Sequence, residues 1–229
     1  AERLLRAEAE RTARRMEFLA KASQVLGGSL GYEETLRNVA RLAVPEFADW
    51  SAVDMLGPDG ELRRLAVAHV DPDRVALARE IQERWPPRPD DPSDALYRVL
   101  RTGQPSIIPE VTAEMIDAAA RDEEHGSIIR ELGLRSAVIA PIRVRDRTMG
   151  ALSFITAESG RHYDQDDLRI AIELAVRAGL AIENAQLHSA EREARRHAER
   201  AGERMSRLQA ITAGLSEAVT PAAVAAVVV

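Results

Sequence analysis

Seven polar and aromatic residues are the candidates to line a small-molecule pocket if the fold brings them together: Trp50, Asp54, His69, Tyr97, His125, Arg130 and Phe154. Aromatic faces with a few converging polar groups are what a ligand pocket needs, yet no two of these residues form a spaced motif. His125, in RDEEHGSII, is the residue type that ligates haem iron. The same surroundings, acidic neighbours and a glycine, also describe a solvated helix terminus. His69 follows the apolar run Leu65 to Ala68 and reads as a core-edge histidine. Asp122, Glu123 and Glu124 could pair with a basic ligand or form a solvated face. Trp50 and Trp85 fit core or lid packing better than a stacking platform.

Covalent and hydrolytic chemistry is hard to find. Cysteine is absent, which excludes a thiolate nucleophile, a disulfide framework and Cys-ligated metal. There is no glycine-rich phosphate loop and no His-Glu zinc motif, and Gly126-Ser127 lacks the glycines of a nucleophile elbow. Asp164, Asp166 and Asp167 lie where a helix should start, so capping is favoured over a divalent metal. No catalytic residue and no metal ligand is nominated, and no cofactor is specified. If the intact protein is an enzyme, its catalysis lies outside these residues.

Charge and length narrow the partners. A formal charge of −6 over 229 residues argues against nucleic acid. No apolar run is long enough to span a bilayer, and no leader opens the chain, so a cytoplasmic protein is expected. Lys21 is the only lysine. In Glu191 to Arg207 the arginines alternate with glutamates, as on a coiled-coil exterior rather than a polyanion site.

The elements that must position the seven residues are clearest at the end of the domain. Ala137 to Val144 and Gly150 to Thr156 are rich in β-branched residues and flank the turn Arg145 to Thr148, predicting an antiparallel hairpin. A helix follows, with Asp164 as cap, Asp166 and Asp167 in the first turn, and Tyr163 placed to staple onto Leu168. Its polar positions are Arg169, Glu173, Arg177, Glu183 and Asn184. The apolar arc left between them is wider than one sheet-facing stripe requires. A helix buried on its sheet and again on a second subunit fits, as does the central helix of a monomer.

The stretch Leu134 to Leu187 resembles the closing third of a GAF domain, and the resemblance extends back to Phe18. The succession is an opening helix Glu17 to Ala43, strand Trp50 to Met55, the turn GPDG at 57 to 60, strand Glu61 to Val70, short helices, then the hairpin and last helix. The resemblance implies an α+β fold related to PAS. Its antiparallel sheet would carry the first and last helices on one face and a lid of short helices over a pocket on the other. The lid would comprise helices Asp73 to Trp85, Ser93 to Arg101, Thr112 to Arg121 and Gly126 to Leu132. It would also include the break PPRPDDP at 86 to 92 and a strand Ser106 to Pro109. The cyclic-nucleotide signature of the family, Asn-Lys, a spaced Phe and Asp-Glu, is missing. Cysteine-dependent bilin attachment and sulfoxide reduction are lost with the cysteines.

The expected organisation is a connector helix at 1–17, a GAF domain at 18–187, a coiled-coil connector at 188–207 and the start of a second GAF-like domain at 208–229. Leu187, Ala194, Ala201 and Leu208 recur every seven residues, with Ala198 and Met205 between them, a thin seam for a parallel pair. Leu5, Thr12, Leu19 and Leu26 make a comparable seam. The segment beginning at Leu208 repeats the opening helix at an offset of 189, with Leu19 answering to Leu208 and Leu26 to Leu215. The expected function is a sensory module that binds a small molecule and signals through homodimeric helices to an adjacent output domain, a histidine kinase or a serine phosphatase. A ligand-free dimerising spacer and a haem sensor through His125 are the competing readings.

Overall fold

A computed structural model describes residues 2–27, 31–86, 89, 91 and 94–218. The end of the expected second domain, 219–229, and much of the Pro-rich break lie outside the described residues. The chain divides into two units, 1–185 and 186–229.

In the first unit, the opening helix is two helices rather than one: α1 (Glu2–Gly27) and α2 (Tyr32–Leu42). Glycines at 27, 28 and 31 interrupt a pattern whose apolar spacing alone would have continued. The strands β1 (Trp50–Leu56) and β2 (Leu62–Ala68) follow, joined by a turn in which Gly60 takes φ +82° and Asp59 accepts the Glu61 N–H. Next come α3 (Pro72–Arg84), α4 (Ala95–Thr102), β3 (Ser106–Ile108), α5 (Ala113–Ala119) and α6 (Glu123–Glu131). Strands β4 (Ser136–Val144) and β5 (Arg147–Thr156) form the predicted hairpin. Its turn is tighter than expected, because Arg145 adopts φ +54° and β5 begins at Arg147. The last helix, α7, runs from Gln165 to Ala218.

The five strands form one antiparallel sheet in the order β2-β1-β5-β4-β3. Alternation along each strand assigns its side chains to two faces. Val53, Val138, Ala140, Ile142, Leu152 and Phe154 point to the face that buries Phe18 and Ala22 of α1, Leu36 and Val39 of α2, and Leu174, Ala178 and Ile182 of α7. Ile139 and Ala151 point the other way and pack with Val99 and Leu100 of α4. Helices α1, α2 and α7 thus occupy one face and α4 the other, as the family resemblance implies.

Side-chain caps explain where most helices begin. Asp71, Asp94, Thr112 and Asp122 accept backbone N–H groups at the starts of α3, α4, α5 and α6. Asp122 therefore starts α6 three residues before the expected Gly126. At α7, Asp164 Oδ1 accepts from Asp166 and Asp167 at 2.8 and 3.1 Å, while Asp167 Oδ2 accepts from Asp164 N–H at 3.0 Å. This is a reciprocal capping box.

Within the second unit, Leu187, Met205 and Leu208 each expose more than half of their surface. Arg195 pairs with Glu199 at 3.0 Å, one helical turn away. Such exposed pairs contribute little to stability.

Candidate ligand-binding face

The face of the sheet opposite α7 carries the candidates that sit on β1. Asp54 is fully buried and receives a two-pronged interaction from Arg64 of β2, Nε to Oδ1 at 2.8 Å and Nη2 to Oδ2 at 3.1 Å. A fork of this kind satisfies both carboxylate oxygens in a fixed plane. Close by, Asp94 caps α4 through Leu96 and Tyr97 N–H. Burial pushes the Asp94 carboxyl above its ordinary value against the pull of those two bonds, and Asp91 and Asp54 push it further. Burial also raises the Tyr97 phenol, with Asp94 and Asp54 adding to the shift. Asp54 with its partner Arg64, Asp94 and Tyr97 therefore share one electrostatic neighbourhood beside the start of α4.

A second group lies at the start of β1. Trp50 is 4% exposed, and its ring lies 4.3 Å from that of His69 at a tilt of 39°. His69 Nδ1 accepts the Asp71 N–H at 3.0 Å, and Nε2 lies 3.4 Å from Glu158, which also pairs with Arg74. The core-edge reading of His69 fits these contacts. The indole N–H of Trp50 finds no acceptor among the described residues.

His125 and Arg130 belong to a third group, on α6. The His125 ring stacks on Trp85 at 4.8 Å and 13°, and its Nδ1 accepts the Arg121 N–H at 3.3 Å. Burial and then the Arg121 charge lower its pKa against the pull of Asp122, which favours the neutral ring. Arg84 lies over the Trp85 indole at 4.2 Å and pairs with Glu124 at 2.6 Å, while Trp85 Nε1 donates to Asp122 at 2.8 Å. These contacts fasten the end of α3 to the start of α6. Arg130 pairs with Asp117 of α5 at 2.6 Å.

Phe154 is the misplaced member of the expected set. It stands opposite Ser51 in the β1–β5 ladder, and so on the helix-covered face. There it meets Phe47 edge-on at 5.1 Å and Phe18 at 6.5 Å. Its face follows from a register that sequence periodicity leaves open. Two grooves also open on this side. One, of about 350 Å³, lies between α7, the end of β4 and the loop at Gly103; the other, of about 420 Å³, lies between α1 and the start of α7.

Sequence reasoning misses three polar anchors. Asp122, read as part of a solvated trio, caps α6 and holds Trp85. Asp49 accepts from Ala157 N–H at 2.5 Å and from both the N–H and hydroxyl of Ser159. Arg15, 9% exposed, lies against Asp164 and Asp167. An aspartate before a helix is a readable signal for Asp122; Asp49 and Arg15 depend on partners more than 100 residues away.

This architecture can be set beside known proteins. A family model described as GAF domain matches residues 31–182. The chain belongs to the GAF domain family. Solved structures with the same fold include the GAF domain of a phosphoenolpyruvate-protein phosphotransferase from Coxiella burnetii, 18% identical, with a TM-score of 0.58 over 78% of this chain and 98% of that one. The GAF domain of a putative sensor histidine kinase from Pseudomonas syringae pv. tomato is 16% identical, with a TM-score of 0.51 over 81% and 98%. Residues 122 to 287 of a methyl-accepting chemotaxis protein are 21% identical, with a TM-score of 0.53 over 74% and 99%. No curated protein matches the chain. GAF membership supports a sensory signalling domain, and among the described residues no helix is long and apolar enough to cross a membrane.

Proposed function

We propose that this GAF domain is a cytoplasmic sensory module that binds a small molecule on its lid face and relays the event through a homodimer of α7 helices. The supporting observation is that α7 is apolar on two sides. Ile170, Ala171, Leu174, Ala178 and Ile182 are buried, whereas Val176 and Leu180 are 52% and 56% exposed. A stripe that its own domain leaves uncovered fits a partner helix. Leu187, Ala194, Ala201 and Leu208 follow Leu180 at intervals of seven. Ligand-dependent repacking of the sheet would bias how two such helices cross, and an adjacent histidine kinase or serine phosphatase domain would read the bias. Asp54, Tyr97 and Trp50 are the residues proposed to line the ligand side, with His69 against Trp50.

The haem reading through His125 loses support, because one ring nitrogen accepts a backbone N–H and one ring face is covered by Trp85. The spacer reading differs from the sensor in one measurable respect. Mass spectrometry of compounds released from the purified chain, combined with its absorption spectrum and its mass in solution, tests all three. A stoichiometric colourless compound and a dimer support the sensor; a monomer refutes the relay, and a dimer without any compound favours the spacer.

A further inference from the structure

The cap of α7 has a component from the other end of the domain. Arg15 of α1 places Nη2 at 2.7 Å from both Asp164 oxygens, Nε at 2.7 Å from Asp167 Oδ1 and Nη1 at 3.5 Å from Asp166. Asp164 and Asp167 are the same carboxylates that close the capping box, so the guanidinium completes the cap from outside. Arg11, one turn earlier on α1, reaches Asp164 at 3.4 Å.

The position of α1 is fixed by what lies beside Arg15. Phe18 is 1% exposed and stacks on Phe47 at 4.8 Å, and Ala22 and Leu26 continue the buried row. Sliding α1 by one turn to put Arg11 in the carboxylates would push Arg14 into the site of Phe18. Burying an unpaired charge there would cost far more than the exchange of partners gains. The pairing is also more than capping requires, since Asp164 and Asp167 satisfy the N–H groups without a cation. Burial works against the Arg15 charge, yet the Asp167 and Asp164 bonds outweigh it and hold the guanidinium pKa above its ordinary value. Burial likewise opposes the Asp164 charge, and the Arg15 bond overcomes it. A buried ion pair adds little net stability over an apolar substitute; what it supplies is position.

We infer that Arg15 couples α1 to α7, so that a displacement arriving along α1 reaches the first turns of α7 directly, without crossing the lid face. The inference does not depend on whether a small molecule binds: the module has a helix-to-helix input beside the ligand input proposed above.

Hydrogen exchange of the full chain without added ligand tests it from both helices. Arg15→Met keeps the aliphatic stem and removes the fork; it should speed exchange about tenfold or more in Phe18–Ala22 and in Ile170–Leu174, leaving β4 and β5 within about threefold. Arg15→Lys should restore little, because an ammonium cannot span both carboxylates in the plane of the fork. The reciprocal variant Asp167→Asn keeps an acceptor for Asp164 N–H, and should loosen α1 around Arg15 although α1 is unchanged in sequence. Asp166→Asn, whose main partner is Arg169, should leave α1 at its original rate. Faster exchange confined to the substituted helix would overturn the inference, as would an equal rise in the hairpin or full rescue by lysine. If Arg15→Met fails to fold, the response of α1 to Asp167→Asn decides alone.

Discussion

Substituting alanine at a mid-helix glycine normally stabilises a protein, and Gly179 should do the reverse. Gly179 sits in α7 where the helix crosses β4 beside the irregularity at Ile142 and Arg143. A methyl built on Gly179 would overlap the carbonyl oxygen of Arg143 and lie 3.1 Å from its carbon. The obstacle is backbone, so no side-chain rotation relieves it. Overpacking of a tight contact costs about 1–3 kcal/mol, and the rigid obstacle places this case at the upper end. The helix itself gains about 1 kcal/mol from the exchange. Gly179→Ala should therefore lose about 2 kcal/mol, lowering the urea midpoint by roughly 1 M at a typical slope for a small domain. Gly202, also in α7, has no neighbouring atom within 4 Å of a built methyl. Gly202→Ala should raise helicity and oppose unfolding of its own segment, by circular dichroism against urea. A Gly179→Ala variant as stable as the parent would refute the close crossing of α7 on β4.

Other substitutions test the polar groups. Asp54→Leu strands the Arg64 guanidinium and should cost about 3 kcal/mol, the low end for a broken buried pair because Arg64 keeps a quarter of its side chain exposed. Adding Arg64→Met should recover most of that loss in chemical denaturation. Asp49→Asn should destabilise at neutral pH. Burial opposes the Asp49 charge, but bonds from Ala157 and Ser159 outweigh it and depress the folded pKa. The parent's advantage is accordingly present above the unfolded carboxylate value and disappears as pH falls through the folded one. Asp94→Asn should behave oppositely. Asparagine caps as well as aspartate, and removing a carboxyl whose pKa burial has raised should stabilise near pH 7. That gain should fade as acid protonates Asp94. Parallel pH–stability curves for either variant and its parent would contradict these assignments.

How much of the molecule can be read from its sequence depends on the range of the interactions involved. The hairpin of β4 and β5 and the start of α7 are legible, because alternating β-branched runs and an aspartate before an apolar run act within a few residues. The break between α1 and α2 escapes although three glycines mark it, since the apolar spacing continues on both sides. Phe154 falls on the face opposite to the expected one because its direction depends on pairing with Ser51, a partner 103 positions away in the chain. Trp50 and His69, expected as separate candidates, lie together; Asp54 and Tyr97 also share a neighbourhood, but with Asp94, whose only sequence signal is that of a helix cap, and with Arg64, which carries none. The candidate face is thus legible as residue types and not as groupings.

Strand β1 is where the two faces meet, and its first residues carry an unusual burden. Trp50 Nε1 and Ser51 Oγ are buried without a hydrogen-bond partner among the described residues, and the two side chains point to opposite sides of the sheet. An unsatisfied buried polar group costs about 1–3 kcal/mol. Removing the Trp50 donor while keeping an aromatic ring should therefore offset most of the packing lost with the larger indole. Trp50→Phe should stay within about 1 kcal/mol of the parent, against the roughly 3–5 kcal/mol usual for removing a buried aromatic altogether. Thermal and urea unfolding of the purified chain supply the measurement. A loss beyond about 2 kcal/mol would mean that the indole N–H is hydrogen-bonded in solution, since loss of a satisfied donor adds to the cost of the void. A near-neutral result would identify a donor that the fold carries at its own expense on the face proposed to receive a ligand, and an acceptor on that ligand would gain most by meeting it.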